Sequence, residues 1–151
     1  MWPGNLDKNK IAPLYTDIYK AYSEIDSESI MAFEPTPLLP DAISNVGFQT
    51  PPGGEINSNH HIMNDHTYCC GPMTTICNEP SKNGLEIEFW KTFCNYFIEY
   101  KIMRFGQDID RLKIPLLLSE FGACTDVDPC ITEITQVTEN VDKIVGSWAY
   151  W

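Results

Sequence analysis

Ile114-Pro115-Leu116-Leu117-Leu118-Ser119-Glu120-Phe121-Gly122 is the stretch on which the fold turns. From Ile114 to Ser119 it is nearly all apolar, the pattern of a strand buried on both faces. Such strands belong to parallel sheets covered by helices. Immediately before it, Leu85, Phe89, Phe93, Tyr96, Phe97, Tyr100 and Phe105 recur as one aromatic stripe, which predicts a long helix packed on a sheet. After it, residues 130–143 read as a helix with Ile131, Ile134, Val137 and Val141 on one face, and Val145 to Trp151 as a last strand.

The N-terminal half repeats the alternation. Pro13 opens a helical pattern of Leu14, Ile18, Ala21, Tyr22 and Ile25, and proline suits a first turn. Ser29 to Glu34 reads as a short strand stopped by Pro35 and Pro37, and His61 to Tyr68 as a second, with His60 and His61 as loop and strand-start residues. Residues 35–60, rich in Pro, Gly, Asn and Ser, form a long loop, and a loop of that length inside a compact domain is usually functional. A cysteine-bearing loop spans 69–84. The order helix-strand-loop-strand-helix-strand-helix-strand implies parallel pairing through right-handed crossovers. Four strands and three to four helices make about half of an eight-stranded TIM barrel, which takes about 250 residues. The 151 residues therefore read as a single α/β domain, half a barrel, incomplete as a stand-alone chain because it would leave unpaired strand edges.

Ten Lys+Arg against 21 Asp+Glu give a net charge of −11, which disfavours nucleic acid and anionic membrane surfaces as partners. No apolar run approaches the roughly 20 residues that span a bilayer, so the chain is not expected to be an integral membrane protein. Cys69, Cys70, Cys77, Cys94, Cys124 and Cys130 read as two or three disulfides in an oxidising compartment, with the pairing open. A metal site from His66, Cys69, Cys70 and Cys77 is the weaker alternative, because adjacent Cys69 and Cys70 converge poorly on one ion. Met1-Trp2-Pro3-Gly4-Asn5 has neither a basic region nor an apolar run and is no signal peptide. Disulfide usage with such a start predicts a chain that lacks an upstream segment.

Barrel enzymes place their chemistry at the C-terminal ends of strands. Here those ends carry Glu34, His66-Thr67-Tyr68, Glu120 and Trp151. His66 and Tyr68, two apart, point the same way from a strand. A carboxylate, a His/Tyr pair and an indole suit a sugar site, the indole stacking on the ring and the polar groups orienting the carboxylate. Taken singly, each has a plainer role as a cap, a surface group or packing.

Leu116-Leu117-Leu118-Ser119-Glu120-Phe121-Gly122 resembles the strand-seven signature of glycoside hydrolase family 5, in which the Glu before Phe-Gly is the nucleophile. His66-Thr67-Tyr68 resembles that family's His-x-Tyr on strand six, and Ser147-Trp148-Ala149-Tyr150-Trp151 its strand-eight segment. Phe33-Glu34-Pro35, the run from Gly47 to Gly54 and Tyr68-Cys69-Cys70 are most similar to the endoglycoceramidase-related branch. The resemblance covers nearly the whole chain and implies strands five to eight of the barrel.

The resemblance implies a retaining glycosidase without cofactor or metal, in which Glu120 attacks the anomeric carbon and Tyr68 holds it ionised by a hydrogen bond. His66 would lie near the acid/base or the sugar, Trp151 would form the floor of the −1 subsite, and Trp148 would face the helices. The implied substrate is a glycosylceramide, with an apolar slot for the lipid near loop 35–60. A β-glucan, cleaved as by a cellulase, is the rival. A non-catalytic, disulfide-stapled carbohydrate-binding module is the alternative from another class. In the branch the acid/base lies in an Asn-Glu-Pro followed by Trp-Pro-Gly-Asn, so it is expected just upstream of Trp2. Cys77-Asn78-Glu79-Pro80 carries the same three letters in the wrong place, after the His-x-Tyr strand, and Glu79 reads as a loop carboxylate. The fragment alone is then expected to be inactive, and the whole protein to be secreted or lysosomal.

Overall fold

The computed structural model describes residues 4–36, 45–56, 58–69, 84–122 and 128–150, without the side chains of 84–88, 90, 128 and 129. A π-helical stretch, Asp7–Ile11, runs into α1 (Ala12–Ser23). Then follow β1 (Met31–Phe33), β2 (His61–Thr67), α2 (Gly84–Leu112), β3 (Leu116–Phe121), α3 (Asp128–Lys143) and β4 (Ser147–Trp148). The strands form one sheet in the order β1-β2-β3-β4. β1 and β2 pair in parallel, with Met31 opposite His61 and Phe33 opposite Met63. The fold is a parallel four-stranded sheet with helices, in the order the sequence predicts. The chain divides into two compact units, residues 1–65 with 104–117 and residues 66–103 with 118–151.

In the first unit the core gathers Phe33, Val46, Phe48, Met63, Phe105, Leu112, Ile114 and Leu116. Each such buried side chain contributes about 1.5–3 kcal/mol over leaving it exposed. Phe33 and Phe48 lie with ring centroids 4.8 Å apart, and Tyr15 meets both. The helix α1 therefore docks through Tyr15 and Tyr19, the latter 4.5 Å from the His61 ring. The expected stripe does not face inward, since Leu14, Ile18 and Ile25 are exposed. Aromatic rings that reach the loop and strand outweigh aliphatic spacing here.

Three polar side chains fix the described end of the long loop. Asp7, fully buried, accepts from the Thr36 amide and hydroxyl through Oδ1, and from the Gly47 amide through Oδ2 (3.2 Å). Asp108 accepts from the Val46 amide at 2.9 Å and pairs with Arg111, whose guanidinium also donates to the Phe48 carbonyl. A Cβ on Gly47 would stand 1.9 Å from the Gly4 carbonyl oxygen, so only glycine fits there. Val46 and Phe48 are thus core residues and cannot line a lipid slot. This part of the loop is structural; residues 37–44 and 57 of it lie outside the described residues.

The helix α2 ends on Lys113 in the left-handed region (φ 57°), with its amide and that of Ile114 returning to the Ile109 carbonyl, and Pro115 prevents any continuation. In the second unit the core comprises Cys94, Ile98, Ile102, Leu118, Phe121, Cys130, Val137 and Val141. The aromatic stripe of α2 departs from expectation, since Phe89, Phe93, Tyr96 and Tyr100 are exposed and the face with Cys94, Ile98 and Ile102 is buried. In α3 the buried face is Cys130, Glu133, Val137 and Val141, and Ile131 is exposed. Val137 and Val141 are buried as expected, while Cys130 and Glu133 take the inward places of Ile131 and Ile134 on that face. β3 was expected to be buried on both faces; it alternates instead, with Leu116 and Leu118 fully buried and Leu117 and Ser119 half-buried.

Candidate active site

On β2, alternation sorts the side chains. His61, Met63, Asp65 and Thr67 are buried, whereas Ile62, Asn64 and His66 are partly open. His66 and Tyr68 follow the open set to the strand's C-terminal end. In the second unit they meet Glu120 of β3. The Tyr68 hydroxyl donates to Glu120 Oε2 at 2.9 Å, and His66 Nδ1 lies 3.6 Å from that same oxygen. The Glu120 side chain is 37% exposed, and no hydrogen bond among the described residues falls on its Oε1. Among the described residues one carboxylate oxygen is therefore held and the other accepts no hydrogen bond.

The phenol is suited to a permanent donor's role. Burial, then the hydrogen bond to Glu120 and that residue's charge, push the Tyr68 ionisation up to about 12. Its proton stays on oxygen at any working pH, so the contact with Glu120 persists. His66 is close enough to pair with Glu120 when protonated.

The short segment 66–69 is tied from two helices. Lys101 of α2 donates to the His66 carbonyl, and Cys94 of α2 forms a disulfide with Cys69. From α3, buried Glu133 accepts the Cys69 amide proton at 2.8 Å. None of these three is a site residue that the sequence predicts. Cysteine pairing and a lysine's partner leave no mark in sequence. Glu133 left one, as a single acidic residue in a helical stripe otherwise made of Cys130, Val137 and Val141.

Past Glu120 the chain turns at Gly122 (φ 97°), where a Cβ would meet the Tyr150 ring at 2.4 Å. The Phe-Gly pair therefore has a steric cause, since Tyr150 crosses the edge of Phe121 directly above the glycine. Trp148 lies away from Glu120's partners, its indole donating to Asp142 of α3 at 3.2 Å, as the two-residue period requires. Trp151, the expected floor of the sugar site, lies outside the described residues, as do Cys70, Cys77, Glu79 and Cys124. Glu34 belongs to the first unit, where it accepts from Asn64. Cys69, being in a disulfide, is no thiolate ligand, and among the described residues no cluster of three or more His, Cys, Asp or Glu could hold a metal. No helix among those residues is long and apolar enough to cross a membrane.

A carboxylate and its tyrosine donor at the C-terminal tips of neighbouring parallel strands define the class, an α/β barrel segment with its polar groups at the strand ends. Solved structures agree with that fold. The chain is similar to endo-glycoceramidase II from Rhodococcus sp. in its ganglioside GM3 complex, with 14% identity, a TM-score of 0.77, and coverage of 100% of this chain and 32% of that one. The same enzyme's lactosyl-enzyme intermediate matches with 15% identity, TM-score 0.75 and coverage of 100% and 31%. Thermotoga maritima Cel5A in complex with cellobiose matches with 19% identity, TM-score 0.65 and coverage of 98% and 48%. The chain spans about a third to a half of the length of these proteins. By sequence, no family model and no curated protein matches it.

Proposed function

We propose that the chain is the strand-five-to-eight segment of a retaining glycoside hydrolase of family 5. The observation that carries the reading is the 2.9 Å bond from Tyr68 to Oε2 of Glu120, with no hydrogen bond on Oε1 among the described residues. In the proposed reaction Oε1 attacks the anomeric carbon, the bond to the leaving oxygen breaks, and an acid/base carboxyl about 5–5.5 Å away protonates that oxygen. The same group then takes a proton from water, which displaces Glu120 and releases the sugar. Tyr68 holds the nucleophile in aim, His66 orients it or the sugar, and Trp151 stacks on the ring.

The proposed reaction needs a second carboxyl as acid/base, and Cys77-Asn78-Glu79-Pro80 is read as a loop that does not supply it. Turnover by the purified chain that is lost in Glu79→Gln would assign that role to Glu79 instead. The proposed substrate is a glycosylceramide, supported by the Rhodococcus sp. enzyme's ganglioside complex. A β-glucan is the second reading, favoured by the likeness to a cellobiose-bound structure. The proposed setting is an oxidising compartment, secreted or lysosomal, which the Cys69–Cys94 disulfide supports.

The test is covalent trapping in the full-length protein. An activated 2-fluoro glycoside, which loads the nucleophile and leaves it slowly, should label the peptide holding Glu120, as read by mass spectrometry. A label on any other carboxylate defeats the assignment. Comparing lactosyl ceramide with cellobiosyl substrates then separates the two substrate classes.

A further inference from the structure

We propose that Glu133 is the positioning residue of the Tyr68–Glu120 pair, acting through the backbone amide of Cys69. The proposal rests on the reading of Glu120 as nucleophile. Tyr68 stands one residue past the end of β2, beyond the last strand residue, Thr67. Something other than the sheet ladder must hold its backbone. The Cys69 amide belongs to the same rigid plane as the Tyr68 carbonyl, so whatever orients that amide sets the backbone rotation of Tyr68 and the direction of its side chain.

Glu133 Oε1 accepts from that amide at 2.8 Å. Only 2% of Glu133 is exposed, on a helix face shared with Cys130, Val137 and Val141. A carboxyl among such neighbours is costly unless it is well bonded, and an aliphatic residue would pack there without that cost. Its bond to the Cys69 amide gives that burial a structural cause. The Cys69–Cys94 disulfide and the bond from Lys101 to the His66 carbonyl tether the same segment from α2. They restrain a side chain and a neighbouring carbonyl, whereas Glu133 fixes the amide plane itself. Burial first, and then the hydrogen bond and charge of Glu120, raise the Tyr68 ionisation, so part of that rise reports the contact that this plane maintains.

The test uses the full-length protein with a fluorinated tyrosine at position 68, whose ionisation is followed by fluorine NMR. Glu133→Gln keeps an acceptor at the same reach. Glu133→Asp is one methylene too short, and Glu133→Leu has no acceptor. In the parent protein the phenol should titrate well above the free amino acid. That displacement should persist in Glu133→Gln and shrink in Glu133→Asp and Glu133→Leu, by the part that the Glu120 contact supplies. Turnover should follow, with kcat down about tenfold at unchanged KM in the latter two and restored by Gln. If Glu133→Leu does not fold, Glu133→Asp decides. Identical titration in the parent and Glu133→Asp overturns the proposal, as does a Gln variant that behaves like Asp. If Glu120 resists labelling and no glycoside is cleaved while the titration still responds to Glu133→Asp, the positioning role stands and the glycosidase reading falls.

Discussion

Asp7 and Asp108 of the first unit and Glu120 of the second are held in opposite ways. In the first unit Asp7 and Asp108 are buried, and both oxygens of each accept from internal donors: Thr36 and Gly47 for one, Val46 and Arg111 for the other. In the second unit Glu120 is held through one oxygen by Tyr68, with His66 close to the same atom, and its other oxygen has no hydrogen bond among the described residues. A fully bonded buried carboxylate acts as a clamp, here for the loop segment 46–48. A carboxylate fixed on one side and open on the other is oriented yet still able to react. Satisfaction of the lone pairs, more than burial alone, distinguishes these clamps from the carboxylate proposed as the nucleophile.

Substitutions should draw that line experimentally. Glu120→Gln in the full-length protein should lower turnover of a glycoside by about 10³-fold or more, with little change in melting temperature. An unchanged rate would remove Glu120 from the chemistry. Asp108→Ala should do the reverse, costing about 2–3 kcal/mol in urea unfolding by stranding the Val46 amide and the Arg111 guanidinium. A large loss of kcat without loss of stability would contradict the clamp. Tyr68→Phe removes one donor while keeping the ring, and kcat should fall roughly tenfold to a hundredfold. The smallest effect concerns His61, buried beside Tyr19 with Nδ1 2.7 Å from the Ser58 hydroxyl. Burial, then the neighbouring charge of His60, holds its imidazole below the ordinary 6.5 against the opposing pull of Glu55. Below pH 6.5 the unfolded chain takes up a proton that the folded chain refuses, so stability should fall as pH drops through that value toward the folded pKa. Urea midpoints at pH 7.5 and 5.5 should differ less in His61→Phe than in the parent.

Much of the fold was legible because apolar periodicity reports elements directly. The strands around Met63 and Leu118, the helices through Tyr22, Ile98 and Val137, and the parallel order all follow from it. The inward faces of the helices were less legible. On α1 the docking residues are Tyr15 and Tyr19, on α3 Glu133 replaces Ile134, and on α2 the aromatic stripe is exposed from Phe89 to Tyr100. Spacing alone shows that a helix has an apolar side; what it docks on depends on neighbours distant in the chain. Of the site, Glu120, His66 and Tyr68 were readable from strand ends and motif resemblance, and the structure brings those three together. Cys94, Lys101 and Glu133 were not, since each acts on segment 66–69 from a helix remote in sequence.

The amino-acid sequence determined by itself the element order, the parallel sheet and the residues placed at strand tips, because these depend on short-range periodicity and on proline and glycine punctuation. Tertiary structure alone decided which carboxylates bond through both oxygens, which cysteine joins Cys69 and which oxygen of Glu120 Tyr68 holds. Those outcomes depend on ångström-scale meetings between groups dozens of residues apart, and hydrogen bonding falls off too steeply with distance and angle to be read from a pattern.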